Sequence, residues 1–213
     1  METISSIGYN QEEIIDNILT LHVPQGFIDC DCTYSKGNFY KSGKIKEPQY
    51  KFDKYPQTID TIQSCATNLP LNNNSINCLM FDPPFLATTG KSLTIENDSN
   101  IINKRFGVFN SEKELHKFYV EAMKEFYRVL NDEGVLIFKC QDKVSSGKQY
   151  MSHVFIINQA EKIGFYTKDL FILQAKARLI SGKVKRQIHA RKFHSYFIVF
   201  EKKKSKINYE DFI

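Results

Sequence analysis

The chain has 213 residues, 42% of them hydrophobic and 25% charged, with a net charge of +5. That length supports one sizeable core, and the composition is that of a globular chain rather than a collagenous or low-complexity one. No apolar run approaches the ~20 residues that a membrane helix needs, and the polar start METISSIGYNQEEIIDNI lacks an apolar signal core. Five cysteines, an odd count, favour reduced thiols over a disulfide framework. The expectation is a cytoplasmic protein that neither spans nor binds a membrane.

In chain order, Asn10 to Leu21 reads as a short amphipathic helix with Ile14, Ile15, Ile18 and Leu19 on one face. Pro24 stops it, and GFIDCDC follows as a first short strand. A basic, tyrosine-containing stretch leads to a second strand near Tyr50-Lys51-Phe52-Asp53. Ser64 to Leu71 is a connection or a short strand, and Ile76 to Phe81 is another strand. Ser111-Glu112-Lys113-Glu114 has the pattern of a capping box. It opens a helix to Leu130, with Leu115, Phe118, Tyr119, Ala122, Phe126 and Leu130 at helical spacing. Asn131-Asp132-Glu133-Gly134 ends that helix, and Val135 to Phe138 suits a buried strand. Met151 to Ile163 is helical up to Gly164, Asp169 to Leu173 is a strand, and Ser195 to Glu201 is the last. Strands alternating with helices predict βαβ units and an α/β, Rossmann-like, doubly wound fold.

One stretch carries chemistry. In Asn77-Cys78-Leu79-Met80-Phe81-Asp82-Pro83-Pro84-Phe85 an apolar strand runs into a carboxylate, two prolines and an aromatic ring. Prolines end a strand because they have no N–H to give it. In a doubly wound sheet, ligands bind beyond the carboxyl ends of the strands, which puts this corner at the active edge. The Asp82 carboxylate and the Pro83 carbonyl can each accept a hydrogen bond from an amino group. The Phe85 ring offers a face for a flat heterocycle, a contact worth ~1–3 kcal/mol per base in nucleic-acid sites.

These residues resemble the S-adenosylmethionine-dependent amino-methyltransferases of nucleic acids, whose signature [Asp/Asn/Ser]-Pro-Pro-[Tyr/Phe/Trp] is met by Asp82-Pro83-Pro84-Phe85. Asn68-Leu69-Pro70-Leu71 through Ser75-Ile76-Asn77 is similar to the family's approach to that strand. Asp31-Cys32-Thr33-Tyr34-Ser35-Lys36-Gly37-Asn38-Phe39 resembles its cofactor loop, commonly D-P-T-x-G-x-G-x-F. Glu125 to Leu130 followed by Gly134-Val135-Leu136-Ile137 resembles its helix-to-strand passage, and His194 to Phe200 its closing strand. The resemblance implies a class I methyltransferase fold with an antiparallel C-terminal strand. One domain over 1–213 is expected, with an N-terminal helix (1–24), a target loop (86–110) and a basic loop (175–195).

The same resemblance implies S-adenosyl-L-methionine as cofactor, held by Asp31, Thr33, Ser35, Gly37, Phe39, Asp53 and Asp82, with Asp53 on the ribose hydroxyls. Ser35 and Cys32 depart from the family's Gly and Pro. Asp82, Pro83, Pro84 and Phe85 form the expected catalytic set, and methyl transfer is expected to be direct. No Pro-Cys dipeptide is present for a cysteine nucleophile of the 5-position cytosine type. The substrate implied is a nucleic-acid base, with DNA (adenine N6 or cytosine N4) placed ahead of RNA. A non-catalytic nucleic-acid-binding subunit of this fold is the third reading.

Charge supports a polyanionic partner. Between Lys176 and Lys204 the only acid is Glu201. Arg178, Lys183, Lys185, Arg186, Arg191 and Lys192 are the expected phosphate contacts, joined by Lys91 and Arg105 of the target loop. Cys30 and Cys32 share a strand face, but no second Cys/His pair stands at zinc spacing, so no metal is expected.

Overall fold

A computed structural model of the chain describes residues 3–85, 87, 109–175, 188–203, 207 and 212. A two-residue strand β1 (Ile7–Gly8) precedes helix α1 (Gln11–His22). Strands β2 (Cys30–Asp31), β3 (Tyr50–Asp53), β4 (Ile62–Gln63) and β5 (Ile76–Phe81) follow. Helix α2 (Glu112–Val129) leads into β6 (Leu130–Cys140), a hairpin of β7 (Lys143–Ser145) and β8 (Lys148–Tyr150), and helix α3 (Ser152–Ile163). The chain closes with β9 (Tyr166–Gln174) and β10 (His194–Glu201).

Among the described residues, eight strands form one sheet in the order β1-β9-β10-β6-β5-β2-β3-β4. β2, β3, β4, β5 and β6 run parallel, and β10 lies antiparallel between β6 and β9. The antiparallel closing strand agrees with expectation. From β2 the chain moves outward to β3 and β4, then returns to β5 on the other side of β2. That reversal is a switch point, where the carboxyl ends of two adjacent parallel strands frame a crevice. Asp31 ends β2, and Asp82 follows β5 directly.

Both sheet faces are covered, which is why the strands read as continuous apolar runs. Along β5, Leu79 and Phe81 join the core under α2 and α3, while Cys78 and Met80 join the core under α1. The α1 stripe of Ile14, Ile15, Ile18 and Leu19 is buried as its spacing predicts, and Asn10 caps the helix by accepting the Glu12 N–H at 2.9 Å. Ser111 caps α2 by accepting the Glu114 N–H, but Glu114 accepts from Asn110 N–H rather than closing the box on Ser111.

Four departures from the sequence reading have local causes. Residues 32–49, between β2 and β3, make turns where a βαβ unit expects a helix. Ser35, Gly37 and Gly43 adopt φ of 51°, 64° and 76°, outside the helical region. Tyr34, Phe39, Tyr40 and Ile45 fill the space instead, against the α1 side of the sheet. β1 lies in the polar N-terminal stretch, pairing Ile7 with Ile172 at the sheet edge, and is too short to show a period. The short strand in the 60s is Ile62–Gln63, upstream of the expected Ser64–Leu71. The hairpin 143–150 turns on Ser146-Gly147, both at positive φ as a primed turn requires.

The resemblance at Asn68–Asn77 and Glu125–Leu130 has a structural basis. Arg128 grips Glu125 with Nε (2.9 Å) and Nη2 (2.6 Å) and donates to the carbonyls of Leu71 (2.9 Å) and Leu69 (3.2 Å). Glu125 in turn accepts the Leu69 N–H at 2.7 Å. This clasp fastens the approach to β5 onto α2.

Candidate active site

The Asp82 corner is braced residue by residue. The Asp82 N–H donates to Thr33 Oγ1 at 2.7 Å, and that hydroxyl donates to Asp31 Oδ1 at 3.2 Å. The Pro84 carbonyl accepts from Tyr119 Oη of α2 at 2.7 Å, and the Phe85 carbonyl accepts from Lys143 Nζ. Lys143 also lies 2.8 Å from the buried Glu112 carboxylate, a contact of charge without hydrogen-bond angles. With its neighbours tied, the Pro83 carbonyl accepts no hydrogen bond among the described residues. Asp82 Oδ2 accepts from Lys139 Nζ at 3.1 Å. Burial pushes the Asp82 carboxyl above the usual carboxylate range, and the Lys139 ammonium opposes that shift.

Behind Thr33 lies a second carboxylate. Asp31 is fully buried and accepts from the Thr33 N–H at 2.9 Å and from Tyr40 Oη at 2.8 Å. Burial pushes its acid up to about 7; those hydrogen bonds pull against it, and Asp82 adds repulsion. No Lys, Arg or His pairs with it among the described residues. A desolvated carboxylate without a cation is costly, so this site suits a cationic ligand group. Asp53, at the end of β3, accepts the N–H groups of Ser35 and Tyr55, both at 2.8 Å. A cleft between the corner and β3 is lined by Thr33, Asp53, Cys65, Ala66, Asp82 and Phe118. A second hollow joins Gln11, Ser35, Asn38, Phe39, Asp82 and Lys139. Carboxylates, hydroxyls and an apolar wall together can hold a molecule with a cationic amine, a diol and a flat ring.

Of the expected cofactor residues, Thr33, Ser35, Phe39, Asp53 and Asp82 line these two hollows, and Asp31 and Gly37 lie behind them. Gly37 serves the loop's shape: a Cβ there would stand 2.5 Å from Tyr34 Oη, at a φ of 64°. Ser35 takes the left-handed conformation that glycine favours, at φ 51°, and its N–H reaches Asp53. Asp29, the acid two residues before Asp31, accepts the Asn77 and Cys78 N–H groups at the start of β5, away from the crevice. Lys91, Arg105, Arg178, Lys183, Lys185 and Arg186 lie outside the described residues. Arg191 is exposed and Lys192 half-buried just before β10.

Four site residues escaped the sequence reading: Lys143, Tyr40, Tyr119 and Gln11. Lys139 is legible in the sequence: Lys139-Cys140-Gln141-Asp142 leaves the strand at the active edge, where its polar ends either line the pocket or are the ordinary polar exit of a strand. Of that run only Lys139 reaches the corner. Gln141 donates to the His194 carbonyl, and Asp142 accepts from the His153 ring and N–H at the start of α3.

Residues 76–212 match the family of N6/N4-type DNA methylases. The chain belongs to that family. The matched stretch starts at β5 and holds the Asp82 corner, while the loop at Asp31–Phe39 and Asp53 lie before it. A search of curated proteins finds no match. Among solved structures, a provisionally assigned methyltransferase of Haloferax volcanii, in complex with the Trm112 methyltransferase activator, aligns over 91% of this chain and 90% of its own, with 9% identity and a TM-score of 0.52. That likeness is one of fold. A provisionally assigned DNA modification methylase of Thermus thermophilus, complexed with S-adenosyl-L-methionine, aligns over 68% of this chain with 16% identity and a TM-score of 0.41. The chain spans 56% of that protein's length.

Proposed function

We propose that the protein transfers a methyl group from S-adenosylmethionine to the exocyclic amine of a nucleic-acid base, adenine N6 or cytosine N4 in DNA. The observation that carries this reading is the Asp82 corner: a carboxylate beside a carbonyl that no described residue engages, while its two neighbours are tied. Such an amine is a poor nucleophile because its lone pair is conjugated into the ring. Two acceptors, the Asp82 carboxylate and the Pro83 carbonyl, would each accept a hydrogen bond from one of its N–H groups and turn the lone pair out of the ring plane. Transfer of the methyl from sulfur leaves a neutral thioether and a cationic nitrogen, which then releases one proton. Positioning of this kind contributes roughly 7–11 kcal/mol in favourable cases. The Phe85 ring would hold the heterocycle, and a base within a duplex would first have to be flipped out.

The crevice fits the cofactor. Asp31 would hold its amino group and Asp53 its ribose hydroxyls, with Cys65 and Ala66 as an apolar wall. Bound there, S-adenosylmethionine supplies a methyl group on sulfur that needs only a well-placed nucleophile. The rest of the work falls to the chain: orienting the amine, excluding water from the corner and stabilising the charge that grows on nitrogen.

The test is a labelled-methyl assay on DNA and RNA with the wild type and Asp82→Ala. Label should enter a base of DNA, survive ribonuclease, and fall by at least about a hundredfold in Asp82→Ala with the fold intact, the scale on which removing one aligned catalytic group acts. Label lost to ribonuclease would make RNA the substrate. Full activity in folded Asp82→Ala would refute the mechanism.

A further inference from the structure

Lys139 is a charged side chain in an apolar setting. It lies one residue before the end of β6 with its side chain 11% exposed, its ammonium 3.1 Å from Asp82 Oδ2. Three rings surround that ammonium: Phe39 at 5.1 Å, Phe197 at 5.5 Å and Phe85 at 5.9 Å from their centroids. They come from three places, the turn after β2, β10 and the Asp82 corner itself. Phe197 stands directly opposite Lys139 in the β6–β10 ladder. Each ring presents a negative face that favours a cation in place of lost water. A lysine needed only for surface charge would snorkel outward, whereas this one is held inward against a single carboxylate oxygen.

We propose that Lys139 is a positioning residue for methyl transfer: its caged ammonium fixes one oxygen of Asp82 and keeps that carboxylate charged, leaving the other oxygen and the Pro83 carbonyl for the two protons of the target amine. This rests on the amine-methylating reading of the corner. As the nitrogen takes the methyl group it becomes cationic, and a charged acceptor beside it stabilises that change where a protonated acid cannot. The other described groups facing Asp82 offer no such help. Lys54, just past the end of β3, shares its cleft but is exposed and makes no ion pair with it, and Asp53 beside it is an acid. Asp31, from the end of β2, repels it; Thr33 holds only its backbone N–H; Tyr119, from α2, is committed to the Pro84 carbonyl. Burial raises the acid of Asp82, and among the described residues Lys139 is the group opposing it.

Two measurements test the proposal: the carboxylate titration of Asp82 by 13C NMR, assigned with Asp82→Asn, and the pH–rate profile of base methylation. In Lys139→Met both the Asp82 midpoint and the acid limb of the rate should move up by about one pH unit or more. Lys139→Arg should restore both, and cofactor affinity by calorimetry should change less than threefold. Lys139→Gln replaces Lys139→Met if the latter does not fold. An unmoved Asp82 midpoint in a folded neutral variant overturns the proposal. So does a tenfold loss of cofactor affinity with the midpoint unmoved, which would make Lys139 a cofactor anchor. A shifted midpoint in a protein that methylates no nucleic acid refutes the substrate reading while upholding the ion pair.

Discussion

Asp31 shows how a single side chain sets stability against binding. Its acid sits at about 7 in the folded chain against 3.8 ordinarily. Between about pH 4 and pH 7 the folded state therefore holds more protons than the unfolded state. Stability should fall as pH rises through that window and stay low above it. At ~1.4 kcal/mol per unit, the cost of the charge is on the order of 4 kcal/mol. Asp31→Asn should then raise the thermal midpoint of the ligand-free protein at pH 8, where calorimetry with S-adenosylmethionine should show weaker binding. The wild type should bind the cofactor more tightly as pH rises through 7. An Asp31→Asn variant no more stable than wild type at pH 8 would show that the buried charge carries no penalty. The residue types here were legible: Asp31, Asp53 and Asp82 stand out in the sequence. Their charge states were not, because burial and the reach of Tyr40 depend on residues far along the chain.

At the scale of elements, the connection between α2 and β5 decides where the corner sits. Arg128, 35% exposed, and Glu125, 10% exposed, bind each other and four groups of the Leu69–Asn73 segment. Arg128→Ala removes those bonds and leaves the Glu125 carboxylate half-satisfied in a protected site. The expected loss is about 2–3 kcal/mol, read as a lower urea midpoint with an unchanged m-value. A change under about 0.5 kcal/mol would mean that the clasp is redundant. Helices were readable at this scale, since α1 and α2 announce themselves by caps and apolar spacing. The turns that replace a helix after β2 also had their signal in Gly37, Gly43 and Pro48. β1 had none: two residues have no period, and only the neighbouring Ile172 and Leu173 make them a strand.

For the whole molecule, the placement of the excess positive charge matters more than its sum. Arg191 is exposed beside the start of β10, near the end of β6 from which Lys139 reaches the corner. Under the proposed function it contacts phosphate and reads no base. Arg191→Ala should weaken nucleic-acid binding about equally for all sequences and lower the slope of log K against log salt by about 1. Its cofactor affinity should be unchanged. A slope equal to that of the wild type would remove Arg191 from the interface.

The sequence by itself determined the α/β class, the helices α1 and α2 and the corner, because periodicity, caps and Asp-Pro-Pro-Phe are local patterns. The antiparallel direction of the closing strand came from the resemblance, since no local pattern carries strand direction. Tertiary structure alone decided what the corner is made of. Tyr119 and Lys143 tie two of its carbonyls, and Lys139 reaches Asp82 inside a cage of three rings. The reason is physical: a lysine 57 positions from an aspartate becomes its partner only when β5 and β6 pair in register and the sheet excludes the water that would otherwise separate them.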